Sequence, residues 1–237
     1  MRPAIDWRSR FEVLAQQTKD DRLRRYYEQA MPDGTTAIRD VRLMAMDVET
    51  TGLNPAKDGI VSVGILPITH DTIIASASRH WIIQPHVPLA SESVTIHGIT
   101  HTQIANAPTL QDILGDLLQA IAGHVLVVHC RAIERTFLNN ALQSLIHEPI
   151  EIPVIDTMEL EARLHRNKAP LSWWDRVVRK KVSTPVSIRL ADSRRRYGLP
   201  FYKPHHALTD ALATAELFQA QIAHRYSPDT ALNDLWC

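Results

Sequence analysis

The chain has 237 residues, 45% of them apolar, and its 26 lysines and arginines balance 26 aspartates and glutamates, the profile of a soluble protein with one large domain and appendages. Zero net charge excludes a global basic field able to hold a polyanion by counterion release alone, so a nucleic-acid partner has to meet a local patch. Cys130 and Cys237 are too few for a disulfide framework and lack the paired spacing of a zinc site, which points to a reducing, cytoplasmic setting.

The first residues, MRPAIDWRSRF, carry scattered charges, and no later segment approaches the roughly 18 uncharged residues of a membrane span, so no membrane association is expected. Residues 6–30 place Trp7, Phe11, Leu14, Leu23 and Tyr26 or Tyr27 at mixed three- and four-residue spacing, which predicts one or two amphipathic helices. The turn-rich MPDGTT that follows sets off residues 1–40 as an N-terminal helical appendage, suited to dock a protein partner, to self-associate or to cap the fold. VRLMAMDV, GIVSVGILPI and TIIASASRHWIIQP, bounded by Asn-Pro, Asp-Gly and Pro, predict three strands in an antiparallel meander.

TLQDILGDLLQAIAGH repeats Leu110, Ile113, Leu114, Leu117, Leu118 and Ile121 at helical spacing, with Gly123 as the C-terminal stop. Strand VLVVH, helix ERTFLNNALQSLI, strand IPVIDT and helix MELEARLH then alternate, the pattern of parallel crossover units. Residues 167–186, NKAPLSWWDRVVRKKVSTPV, have no clean period and read as a basic insertion containing Trp173 and Trp174. SIRLADSRRRYG and ALTDALATAELFQAQIAH are helical, and residues 226–237 form a C-terminal tail. The expected fold is α/β: a mixed sheet, three antiparallel strands followed by parallel ones, flanked by helices over residues 41–225.

Asp47 and Glu49 stand two apart at the end of the first strand, so both carboxylates share one face. Their repulsion is relieved by an oxygen-loving divalent cation such as Mg²⁺ or Mn²⁺, and the Thr50-Thr51-Gly52 turn lets backbone N–H groups and hydroxyls approach a substrate. Alone, the pair fits two solvated residues at a strand end equally well. Asp210, in the first turn of the terminal helix, offers a third ligand, although such an Asp also serves a helix dipole. His205, five residues earlier, offers an imidazole, the side chain type best suited to take a proton from water, although a lone histidine is more often a surface residue.

DVETTGL from Asp47, HGIT at 97–100, VVHxxxxExxFL at 127–138 and HxALxDALATAEL from His205 together resemble the ordered motifs of the DEDDh 3′-to-5′ exonucleases. That family has a ribonuclease H-like fold and includes the proofreading epsilon subunit of bacterial DNA polymerase III and ribonuclease T. The resemblance implies that Asp47, Glu49 and Asp210 hold one metal ion, Asp47 bridging to a second, with His205 as general base; the spacing to Asp210 favours it over His206. The implied substrates are single-stranded nucleic acid 3′ ends, DNA favoured and RNA allowed, and the products nucleoside 5′-monophosphates. His97 and Ile96 would contact the terminal nucleotide.

The second motif departs from the family pattern: Glu134 replaces Asp, Cys130 replaces Asn and Ile133 replaces an aromatic. Glu134 would reach the second-metal region with shifted geometry, and Ile133 would supply an apolar wall without stacking. The competing readings are a surface pair of Glu134 with Arg131 or Arg135, Asp156 as a substitute acid or a helix cap, and a turn role for His97 beside Gly98. The basic run from Arg176 to Lys203, with Lys180, Lys181, Arg189, Arg194, Arg195 and Arg196, is either a strand-binding track or a solvated face. The alternative functions are an RNA-trimming, oligoribonuclease-like enzyme and a non-catalytic nucleic-acid-binding subunit. An aspartyl-nucleophile phosphatase would want a second Asp where Glu49 stands and leaves His205 and Asp210 unexplained.

Overall fold

The computed structural model describes residues 5–87, 94–95, 97–166 and 186–237. Strands β1 (Leu43–Thr50), β2 (Ile60–Ile68), β3 (Arg79–Ile82), β4 (Val125–Val128) and β5 (Val154–Asp156) form a sheet in the order β3-β2-β1-β4-β5. β1 is antiparallel to β2 and parallel to β4, and β4 is parallel to β5, which is the mixed sheet expected. The third predicted strand is shorter than its sequence run. Thr69 and Thr72 both donate to Asp71 in a turn, a 3-10 turn follows at Ala75–Ala77, and the Ala-Ser-Ala-Ser run presents no alternating apolar face.

β1 carries the site because its two neighbours treat it differently. With β2 it pairs along its whole length, placing Asp47 opposite Gly64 and Glu49 opposite Ser62, with a register shift just after Glu49. With β4 the register runs only from Leu43 to Ala45, so the acidic end of β1 projects past its parallel neighbour. A crevice at the carboxyl end of a central strand results.

Helices cover both faces: α1 (Trp7–Gln17), α2 (Asp21–Tyr27), α3 (His101–Ala105), α4 (Leu110–Ile121), α5 (Arg131–Ile146), α6 (Thr157–Arg166), α7 (Leu190–Arg196) and α8 (Ala207–Arg225). Gly123 has φ +71 and ends α4 as its spacing implies. α5 starts three residues earlier than its apolar pattern because Asp156 accepts hydrogen bonds from the N–H groups of Cys130 and Arg131. The same carboxylate accepts from Met158 N–H in α6, so Asp156 caps two helices. α8 lies directly on β2: a Cβ at Gly64 would sit 2.4 Å from the Ala207 carbonyl carbon. That approach brings the first turn of α8 down beside Asp47.

The two ends of the chain close the fold. Trp7, Phe11, Leu23, Tyr26 and Tyr27 are buried in the same core as the sheet, joined there by Leu232, Leu235 and Trp236. Trp236 bridges to Ile155 of edge strand β5, Ala231 bridges to Ala37, and the Trp7 and Trp236 rings meet edge-on at 6.5 Å. The appendage spends its aromatic side chains inside the molecule, leaving Ile5 and Val13 as its exposed large apolar groups among the described residues. Among the described residues no helix is long and apolar enough to cross a membrane.

Candidate active site

Asp47 and Glu49 from β1 and Asp210 from the first turn of α8 converge, with one carboxylate oxygen of each within 4.8 Å of the others. Glu49 and Asp210 are buried and Asp47 is half-buried. Asp210 Oδ2 accepts hydrogen bonds from the backbone N–H groups of His205 at 2.7 Å and His206 at 3.2 Å, so the carboxylate is oriented by the approach to its own helix. Among the described residues, Arg131 pairs with Asp156 and Glu159, and Arg194 pairs with Glu216.

Crowding unpaired acids out of water makes ionisation costly. Burial, and then the charge of Asp210, pushes Glu49 up to about 7. Burial also holds Asp47 well above the usual carboxylate range, with Glu134, Glu49 and Asp210 adding repulsion in that order. Burial raises Asp210 too, against the lowering effect of the His205 and His206 amides. Glu134 is 2% exposed, and its Oε2 finds no hydrogen-bond partner among the described residues. Its carboxyl is held well above the usual range by burial. A set of hard oxygen donors, mutually repelling and including an orphaned buried oxygen, fits a divalent cation of the Mg²⁺ or Mn²⁺ kind.

The surface-pair reading of Glu134 is overturned, because Arg131 goes to Asp156 and Arg135 donates to the carbonyls of Ile152 and Cys237. Glu134 stands outside the tight three-acid group, yet its charge is the leading one acting on Asp47. Asp156 is committed to its two helix caps. Ile133, next to Glu134, is half-buried against the core.

The turn after β1 is braced from within. Thr50 Oγ1 donates to Gly52 O at 2.7 Å, whereas the Thr51 hydroxyl donates to Asp58 at 3.1 Å and accepts from Gly59 N–H at 3.1 Å. Thr51 therefore shapes the turn with the hydroxyl expected to approach substrate. Asp58, absent from the predicted site, also accepts from Asn54 N–H at 2.8 Å and packs where a side chain on Gly52 would lie. The Asn-Pro and Asp-Gly steps around it are its signal. Leu53, at the tip, is 87% exposed, an apolar group within the quoted motif that has no packing role.

His97 and His205 line a cavity of about 340 Å³ together with His206, Thr95, Tyr202 and Lys203, and the His205 amide ties its rim to Asp210. His97 is buried and its Nδ1 accepts from Ile99 N–H at 3.1 Å, so the turn role is present. Burial and then His205 lower its pKa. His205 is exposed and has φ +71, while His206 caps α8 by accepting from Thr209 N–H on Nδ1 at 3.3 Å. Ile96 lies outside the described residues, as do residues 167–185 with Trp173, Trp174, Arg176, Lys180 and Lys181. The described part of the basic run is divided: Arg194 is buried against Glu216 and Tyr202 and Arg196 pairs with buried Glu161, whereas Arg189 and Arg195 face solvent. A larger cleft of about 720 Å³, lined by Pro55, Ile60, Phe137 and Leu145 among others, contains none of the five predicted catalytic residues.

A mixed sheet whose central strand ends in such an acidic crevice has the architecture of a cation-dependent nuclease. Residues 44–218 match the family model described as exonuclease, of the RNase T type, and the chain belongs to that family. It is 28% identical over 184 residues to the DNA polymerase III subunit epsilon of Treponema pallidum, covering 78% of each chain. It is 26% identical over 197 residues to the PolC-type DNA polymerase III of Halalkalibacterium halodurans, and this match spans 83% of the chain but only 12% of that longer relative. Among solved structures, the nuclease domain of 3'hExo, a DEDDh family member bound to rAMP, superposes with a TM-score of 0.61 at 16% identity, covering 78% of this chain and 92% of that one. The last likeness is one of fold.

Proposed function

We propose that the protein is a 3′-to-5′ exonuclease that shortens single-stranded nucleic acid, DNA in preference to RNA, releasing nucleoside 5′-monophosphates with the aid of two Mg²⁺ or Mn²⁺ ions. The observation that carries this reading is the convergence of Asp47, Glu49 and Asp210 within 4.8 Å. Asp47, Glu49 and Asp210 would hold the first ion, and Asp47 with Glu134 the second. Bound there, such ions neutralise phosphate charge and lower the pKa of water. The preference for DNA rests on the polymerase names of the sequence relatives.

The chain supplies the rest. His205, exposed on the approach to α8, accepts a proton from the attacking water on its imidazole and returns it to solvent. Burial of Glu49, Glu134 and Asp210 keeps bulk water from competing for the acidic end of β1. Asp58 and Thr51 hold the turn that borders the strand end, and Ile133 offers an apolar wall to the terminal nucleotide. The test incubates the protein with end-labelled single-stranded DNA and RNA in Mg²⁺ or Mn²⁺. Mononucleotides should appear from the 3′ end and disappear with EDTA or Asp47→Ala; intact strands in both ions would overturn the reading.

A further inference from the structure

We propose that His80 is a positioning residue for the general base: packed ring against tilted ring on His206 and tethered to Ser62, it holds the His205–His206 peptide so that His205 faces the cleft. The inference rests on the catalytic reading of His205 above, and it names a residue of β3 that lies outside the acidic cluster.

His205 has φ +71, a left-handed conformation that a residue with a Cβ adopts only when its surroundings impose it. The approach is anchored at Tyr202, whose hydroxyl donates to Glu216 at 2.9 Å, but the two residues between that anchor and His205, Lys203 and Pro204, are exposed. The nearest restraint comes from the other side. Asp210 takes the amides of both His205 and His206, and the His206 ring is pinned at its edge by the Thr209 amide and on its face by His80. Those two ring centroids are 4.7 Å apart with an interplanar angle of 37°.

His80 is well placed to act as a fixed platform. It pairs with Gly64, and Gly64 pairs with Asp47, so these three positions lie side by side across the sheet. Ser62, fully buried and opposite Glu49, has its Oγ 2.7 Å from His80 Nε2. Cross-strand partners share a face, so Glu49, Asp47, Ser62 and His80 belong to the face on which α8 rests. The missing side chain at Gly64 lets α8 come close enough for the two rings to meet. One line of contacts thus runs from the strand that bears the carboxylates to the loop that bears the base, and thermal motion of the loop is referred to the site it serves.

The test compares His80→Ala with His80→Phe, which keeps a flat ring over His206. His80→Ala should lower kcat about tenfold or more while KM moves less than about twofold, and His80→Phe should recover most of the lost kcat. Amide hydrogen exchange at His205 and His206, read in metal-free protein, should quicken about tenfold in His80→Ala with exchange across the sheet unchanged. Unchanged kcat and exchange in His80→Ala, or equal losses in both variants, would overturn the role. If the wild-type chain cleaves no strand, the proposed function fails, and the exchange measurement still judges the His80 contact.

Discussion

The two sides of the cleft are built on opposite terms. The carboxylate side stands on a strand paired with β2 along its length and on two helix starts, and burial raises the pKa values of all four acids, with Glu134, Glu49 and Asp210 adding repulsion at Asp47 and Asp210 adding it at Glu49. The histidine side stands on an exposed approach loop in a left-handed conformation, held by a few hydrogen bonds and a ring contact. Repulsion among groups that cannot move apart is stored affinity for a cation, whereas proton transfer requires a group that reaches water and can shift. Rigidity and exposure are therefore divided between the two sides according to task.

The division is broken most severely at Asp47. Asp47→Asn should abolish nuclease activity, by about 10⁴-fold or more, and at the same time raise the melting temperature of the metal-free protein, because it removes the most repelled charge of the cluster. His205→Ala should lower kcat by about 10²- to 10⁴-fold without any such gain, since His205 is exposed. Steady-state kinetics beside calorimetry in EDTA separates the two. A loss of stability in Asp47→Asn would show that the repulsion is not real.

Glu134 sharpens the same contrast with a smaller effect. Glu134→Gln keeps the shape and removes the charge, and should weaken Mn²⁺ activation while easing the ionisation of Asp47, on which Glu134 is the leading charge. Glu134→Asp restores a charge one methylene short and should recover part of the activity. Activity indifferent to both variants would place Glu134 among structural residues, contrary to its orphaned buried oxygen.

Most of the sheet and the acid triad were legible because they rest on local rules. Alternation and β-branched runs marked β1 and β2, helical spacing marked α4, and the two-residue step put Asp47 and Glu49 on one face. What escaped depends on long-range packing. Asp156 reads as a cap for the next helix, yet it also starts α5, 25 residues away. The appendage reads as separate, yet Trp7 needs Trp236 at the far end of the chain. Part of the apparent basic track is spent on ion pairs within the fold: Arg194 is buried against Glu216, and Arg196 pairs with buried Glu161. His80 gave no signal, because its meaning lies in register, with Gly64 between it and Asp47.

The smallest expected effect is the pH dependence of stability, and its sign follows from Glu49. Below its ordinary value of 4.5 the carboxyl is protonated in folded and unfolded chains alike and contributes nothing. Between 4.5 and about 7 the unfolded chain ionises while the folded one retains its proton, so metal-free stability falls as pH rises. Above that window the full penalty applies, on the order of 3 kcal/mol for this group. A bound cation reverses it, since the charged form is the one that binds. His129, which burial holds down to about 4, pulls the other way on the acid side by favouring the unfolded, protonated chain. It cancels in the difference between melting curves taken with Mn²⁺ and with EDTA. That difference should be near zero at pH 5 and reach several degrees at pH 8, and it should shrink in Asp47→Asn but persist in His205→Ala. An equal Mn²⁺ effect at both pH values would mean that the ion binds somewhere other than the end of β1.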